Sequence, residues 1–241
     1  MLKSTIAALL FSATQVLCES NHFIMSFEPS GKPIISLPQN FVLHTHLMIE
    51  KEDSSWTDTM TNVQWYIDSI GNRAKYAYVY TESGKVMKQA RYDYNTQKEI
   101  TQESSSKWCK EAKIEYQFNL GRFLKNTFDT QDLESSMFEY AGLVTPDFDK
   151  FEKYHAFVTK DEGSHIPIAQ RATQFYFDQT GQANWIKFYM ANDQSELHNI
   201  ISVEENVFNN EDFGLEGCHP AVTTNAYEVY HSNDEKVKTQ L

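Results

Sequence analysis

At 241 residues, 41% of them hydrophobic and 14% aromatic, the chain is long enough to bury a substantial core as one large β domain or two small ones. A formal charge of −12 argues against partners that present phosphates over a broad surface, nucleic acid or an anionic membrane, because those require clustered Lys and Arg. The aromatic residues are mostly Phe and Tyr, which suit pleated surfaces and cavity walls better than helical bundles.

Residues 1–18 read as a secretory signal peptide: Lys3 supplies a positive start, Ile6 to Leu17 a short apolar run, and Val16-Leu17-Cys18 a cleavage site before Glu19. That run is too short and too interrupted by Ser12, Thr14 and Gln15 for a permanent membrane helix, and no later segment approaches the length of a span. The mature product is therefore expected to be secreted and extracellular. Cleavage leaves Cys109 and Cys218, which in an oxidising compartment are most simply a disulfide, stabilising by about 4–5 kcal/mol on the chain-entropy model. The alternatives are Cys109 as a nucleophile and Cys218 as a metal ligand with His219.

Pro29, Gly31 and Pro33 make residues 19–36 read as irregular. Strand alternation begins at Phe41, with Phe41, Leu43, Thr45, Leu47 and Ile49 on one face and Val42, His44, His46 and Met48 on the other. After a charged loop from Glu50 to Thr59, residues 63–94 read as three strands joined by the turns Ser69-Ile70-Gly71-Asn72 and Glu82-Ser83-Gly84-Lys85. Thr61, Val63, Trp65 and Ile67 project to one side of this meander, which extends to about Ile100. From Asn119 to Leu143 the spacing turns helical: Leu120, Phe123, Leu124 and Phe128 recur at three and four, then Leu133, Met137, Tyr140 and Ala141. One or two helices are expected there, ended by Pro146.

Strands return at Phe151 to Thr159, Ile166 to Asp178, Asn184 to Met190 and Leu197 to Glu205, with turn residues between them. The fold class is mainly β (α+β): a curved antiparallel sheet or open half-barrel with one or two helices packed against it. One domain is expected over residues 19–222, followed by a disordered tail over 223–241.

Trp65-Tyr66-Ile67-Asp68 with Asn72-Arg73 in the next turn, Tyr92-Asp93-Tyr94-Asn95, and Cys109 follow the order of the animal secreted proteins with LolA-like domains. The chain resembles that group and is similar to the related ependymins, which share a D-x-x-x-x-R hairpin and a later cysteine. In the second half, Phe175 to Asp178, Trp185 to Met190, Ile200 to Phe208, Phe213 and Gly217-Cys218-His219-Pro220 look like the group's closing pattern. It departs from the ependymins in keeping only two cysteines and no N-x-S/T sequon. The resemblance implies an open curved sheet wrapped around helices, with an apolar cavity for lipid or other hydrophobic ligands.

Candidate chemistry is sparse. His44 and His46, two apart on a strand, point to one face and could ligate zinc, but no third ligand is identifiable and the pair could equally be solvent-facing. No G-x-S-x-G, H-E-x-x-H or Gly-rich phosphate loop supports an enzyme, and no cofactor or metal is expected. Acidic clusters at Glu50 to Asp58 and Asn209 to Asp212 lack the order of a calcium loop and read as solvated surface. The aromatic rows carry more: Tyr76, Tyr78 and Tyr80 share one side of a strand, Phe175 and Phe177 another, and Trp185 shares a face with Tyr189. Such rows are either ordinary core or a cavity lining. As a lining, Trp65, Tyr76, Tyr78, Tyr80, Phe175, Phe177 and Trp185 would hold a hydrophobic small molecule or lipid in a secreted, non-enzymatic carrier. The competing function is an extracellular structural or adhesion protein acting through its acidic surface, with calcium.

Overall fold

The computed structural model describes residues 23–103, 108–127, 136–160, 168–189, 194–215 and 218–225; the expected signal peptide lies outside them, as does the tail beyond residue 225. A short hairpin, β1 (Ile24–Phe27) and β2 (Pro33–Ser36), precedes the main sheet. The first meander then runs β3 (Asn40–Glu50), β4 (Trp56–Asp68), β5 (Arg73–Tyr80), β6 (Val86–Asp93), β7 (Lys98–Glu103) and β8 (Trp108–Lys113), each antiparallel to the next. Helix α1 (Leu120–Thr127) follows, and a second meander comprises β9 (Phe138–Val144), β10 (Tyr154–Thr159), β11 (Thr173–Phe177), β12 (Ala183–Tyr189) and β13 (Ser195–Glu205).

The two meanders are one sheet because β13 pairs antiparallel with β3, from Glu196 opposite Ile49 to Glu205 opposite Phe41. The last strand, β14 (His219–Asn225), lies parallel to β8 and closes that edge, giving twelve strands in the order β14-β8-β7-β6-β5-β4-β3-β13-β12-β11-β10-β9. It is a large open antiparallel sheet, not closed into a barrel. Cys109 and Cys218 are disulfide-bonded with Cα atoms 5.5 Å apart, which ties the start of β14 to β8 as the pairing of the cysteines requires and removes Cys109 as a nucleophile.

Alternation assigns the two faces. Phe41 and Leu43 of β3, Trp65 and Ile67 of β4, Phe157 of β10, Phe175 and Phe177 of β11, Ile186 and Phe188 of β12 and Ile200 and Val203 of β13 form one apolar cluster on the inner face. Trp65 reaches Phe188, ring centroids 6.5 Å apart, although β3 and β13 lie between their strands, so this face is concave. The β1–β2 hairpin lies on the second meander, where Phe23 packs edge-on against Phe175 and Phe177 and Met25 is buried. Gly181 permits that contact: its φ is +87°, the Met25 N–H donates to its carbonyl at 2.7 Å, and a Cβ there would sit 2.0 Å from the Met25 carbonyl oxygen.

The outer face of the second meander has its own cluster of Tyr154, Ala156, Val158 and Tyr176, roofed by Phe148. Lys187, 1% exposed, is held there by Asp147 at 2.6 Å and lies 5.4 Å from the Trp56 ring centre.

In the β4–β5 hairpin Asp68 is almost fully buried, and it is paired with Arg73 at 2.7 Å while accepting the Gly71 N–H at 2.8 Å. The Arg73 guanidinium also donates to Asn210 Oδ1 and the Asn209 carbonyl and lies 4.2 Å from the Phe213 ring centre. Asn72, at φ +52°, caps α1 by accepting the Leu120 N–H at 2.8 Å while its amide donates to Phe118 O.

Several expectations are corrected. Residues 19–36 were expected to be irregular, but residues 24–36 form the β1–β2 hairpin, its turn built on Gly31 at φ +82°. The charged loop is shorter than Glu50 to Thr59, since a tight turn at residues 51–55 lets β4 begin at Trp56. The second helical segment is a strand where it is described: Met137 precedes β9, and Tyr140 and Ala141 lie in it, while Leu133 falls outside the described residues. A bulge there, with Gly142 at φ +87°, adds a residue and breaks the alternation that marks strands. The strand expected from Phe151 starts at Tyr154, because Asp149 accepts the N–H groups of Phe151 and Glu152 and makes a turn. Of the stretch Ile166 to Asp178, residues 161–167 are outside the described set, 168–170 form a 3-10 turn and Thr173–Phe177 is strand. β14 runs to Asn225, past the expected start of the tail.

Reducing the disulfide should lower stability by about 2–5 kcal/mol, read from urea unfolding with and without reductant. Arg73→Ala should cost about 3–5 kcal/mol in the same assay by leaving the Asp68 carboxylate buried and unpaired, whereas Arg73→Ala with Asp68→Asn should recover part of that loss.

Candidate functional site

Strand registry lines up the inner-face residues of the first meander. Val63 opposes Tyr78, Trp65 opposes Tyr76, Tyr76 opposes Ala90, and Ala74 opposes Tyr92. Their rings form a continuous row: Trp65 to Tyr76 at 5.7 Å, Tyr76 to Tyr92 at 6.1 Å, Tyr92 to Tyr94 at 6.2 Å, Tyr94 to Phe118 at 4.7 Å and Phe118 to Phe123 of α1 at 5.2 Å. Tyr78 branches from Tyr76 at 5.7 Å. Unlike Phe157 and Phe177 in the second meander, which are fully buried, every member of this row is only half-buried.

The row runs into a cleft of about 670 Å³ between the β6–β7 turn and α1. Tyr94, Phe118, Phe123 and Met137 form its apolar wall, and Asn95, Gln97, Gln117, Asn119, Asn126 and Arg122 its polar one. Asn72, which caps α1, also donates to Asn95 Oδ1 in the β6–β7 turn at 3.1 Å and so fixes the helix beside that turn, while Asn119 Oδ1 accepts the Arg122 N–H at 2.7 Å within the helix's first turn.

The environment of the row is apolar enough to shift its phenols. Burial pushes Tyr94 up to about 12, with Tyr116 and Glu99 adding to it. Burial likewise raises Tyr92, with Tyr76 and then Glu99 beside it, and raises Tyr78, with Glu196 nearby. Glu99 is itself raised by burial, opposed by the Tyr92 hydroxyl and Lys88. At the other end of the row, His198 is buried against Trp65 and Phe188. His198 Nδ1 lies in hydrogen-bond contact with Thr45 Oγ1 at 3.0 Å, and its Nε2 lies 3.6 Å from a Glu196 carboxyl oxygen. That Nε2 and the indole Nε1 of Trp65 are buried with no hydrogen-bond partner among the described residues.

Of the residues expected to line a cavity, Trp65, Tyr76 and Tyr78 come together, with Tyr80 at the exposed end of β5. Phe175 and Phe177 share the same inner face but lie under Phe23 as part of solid core. Trp185 is on the opposite face, 5.3 Å from Phe148 and clustered with Tyr176. Tyr92, Tyr94, Phe118 and Phe123 complete the row and were absent from the expected lining; the i, i+2 pair Tyr92 and Tyr94 is the signal that could have found two of them.

The other candidates are occupied structurally. His46 bonds Asp58 at 2.8 Å and Asn62 at 2.9 Å, and His44 lies 3.9 Å from Glu204. Among the described residues no group of three or more His, Cys, Asp or Glu is placed to hold a metal ion. Asp53 and Asp58 order the turn that precedes and opens β4, their carboxyls lowered by bonds to Ser55 and to the Met60 N–H.

No protein-family model matches the sequence, and no curated protein does. Among solved structures, an uncharacterised conserved protein of Thermus thermophilus is similar over 76% of this chain and 90% of its own, at 6% identity and a TM-score of 0.41. A LolA superfamily protein of Nitrosomonas europaea covers 75% of this chain and 92% of its own, at 10% identity and 0.32. An outer membrane lipoprotein-sorting protein domain of Vibrio parahaemolyticus covers 73% and 89%, at 10% and 0.33.

A folded phenol whose pKa is raised keeps its proton longer than in the unfolded chain, so it contributes stability that is lost as pH rises past the unfolded value. For Tyr94 the window runs from about 10 to about 12. Spectrophotometric titration at tyrosinate wavelengths should show a late-ionising group that merges with the main transition in denaturant.

Proposed function

We propose that this chain is a secreted, non-enzymatic binding protein that carries or sequesters a lipid or other hydrophobic ligand on the inner face of its first meander. The half-buried aromatic row from Trp65 to Phe123, opening into the 670 Å³ cleft, is the observation that carries this reading. Aromatic walls with a few polar anchors, in a space of about 300–1,000 Å³, are the usual design of a site for a small apolar molecule. Kinship with the animal secreted LolA-like proteins and ependymins, expected from the sequence motifs, belongs to the same reading. Among the described residues no helix is long and apolar enough to cross a membrane.

The contrast between the two meanders favours the first as the site. Around Phe177 the hairpin fills the concavity with Phe23 and Met25, leaving tightly packed side chains. Around Tyr76 and Tyr92 the rings stay partly open, and their hydroxyls and the Glu99 carboxyl provide polar points within an aromatic wall.

Native mass spectrometry after gentle purification should find an apolar molecule bound, and a Tyr76→Ala chain should retain it about tenfold less well, since Tyr76 joins three branches of the row. A bare protein mass together with calcium-dependent self-association would instead support the adhesion function.

A further inference from the structure

We infer that the ligand of this face is an amphiphile whose head is a phosphate or similar oxyanion, the head seated in the α1 cleft beside Arg122 and the chain lying along Tyr94, Tyr92, Tyr76 and Trp65. This rests on the apolar-ligand reading and adds the chemistry of the head. Of the ten described side chains lining the cleft, Arg122 alone is charged; five are carboxamides and none is a carboxylate. In a chain of net charge −12 the cleft is a local exception.

Among the described residues two of the cleft's donor groups are uncommitted, the Arg122 guanidinium and the Asn119 amide, while those of Asn95 and Gln97 are engaged. The arginines in salt bridges among the described residues are Arg73 and Arg171, so Arg122 enters none. Its backbone N–H is taken by Asn119 Oδ1, which leaves the Asn119 amide group as a donor. Asn95 is committed at both ends, donating to the Gly71 carbonyl and accepting from Asn72. Gln97 donates to the Tyr116 carbonyl. Lys125 lies one turn further along α1, a helix with no acidic residue. A guanidinium with carboxamide donors and no competing acid among the described residues suits an oxyanion, and it disfavours an ammonium head. Tyr94 belongs both to the cleft wall and to the aromatic row, so head and chain sites are contiguous.

Isothermal titration of the full chain, stripped of lipid, with dodecyl phosphate, dodecanol and inorganic phosphate separates the possibilities. Dodecyl phosphate should bind about tenfold more tightly than dodecanol, and inorganic phosphate should compete with neither at equal concentration. Arg122→Gln, at an exposed helix position, should bring the ratio of the two dodecyl affinities close to one, with an unchanged circular dichroism spectrum confirming the fold. Equal binding of dodecyl phosphate and dodecanol by the native chain overturns the oxyanion head and leaves the apolar-ligand reading standing. Binding of inorganic phosphate as tight as that of dodecyl phosphate overturns the amphiphile in favour of a free-anion site. Failure of both dodecyl ligands to bind removes this inference and the reading beneath it.

Discussion

The antiparallel pairing of β3 with β13 is the contact on which the rest depends. Without it the chain would be two separate meanders, each with an inner face too small to enclose anything; with it, residues about 150 positions apart in sequence become neighbours and a single concave surface results. Such pairing is entropically costly because a long stretch of chain must close before the contact forms. The buried side chains on these strands offset that cost: Phe41, Leu43, Thr45, Val203, Leu197 and His198 are all excluded from solvent along it. A further result is that β8 and β9, consecutive in sequence, lie toward opposite ends of the sheet, so the segment carrying α1 has to pass from one to the other. The position of α1 at the cleft is thus a product of strand order.

The two halves of the concave face have been put to different physical use. In the second, the hairpin inserts Phe23 and Met25 and the packing is that of an ordinary core. In the first, Tyr residues stand where Phe would give a drier surface, and each hydroxyl retains a polar point within the wall. The raised phenol and carboxyl groups are the electrostatic trace of this compromise: the rings are sheltered enough to penalise charge, yet not filled over.

Much of the sheet was readable from alternation alone, since Val63, Trp65 and Ile67 point inward as their spacing implies. What escaped had local causes. The β1–β2 strands are four residues each, too short to show a period, and flank the Pro and Gly that signal a break. The bulge at Gly142 made β9 imitate helical spacing. The face of Trp185 depends on its registry with β11, where another bulge falls between Tyr176 and Phe177, so reading its own strand could not relate it to Phe175. The polar side of the cleft was invisible because its residues come from the β6–β7 turn, the approach to α1 and α1 itself, which only tertiary structure brings together.

Among the described residues the β14–β8 pair is the only parallel pairing in the large sheet, and β14 is the last part of the described chain to be synthesised. Until it arrives, β8 presents a bare row of backbone donors and acceptors, with Trp108 exposed beside them, and could recruit the strand of a neighbouring molecule. The Cys109–Cys218 link therefore does more than restrict the unfolded chain. It reserves the free side of β8 for the molecule's own last described strand, so that in the oxidised chain a foreign strand cannot take that place as readily as in the reduced one.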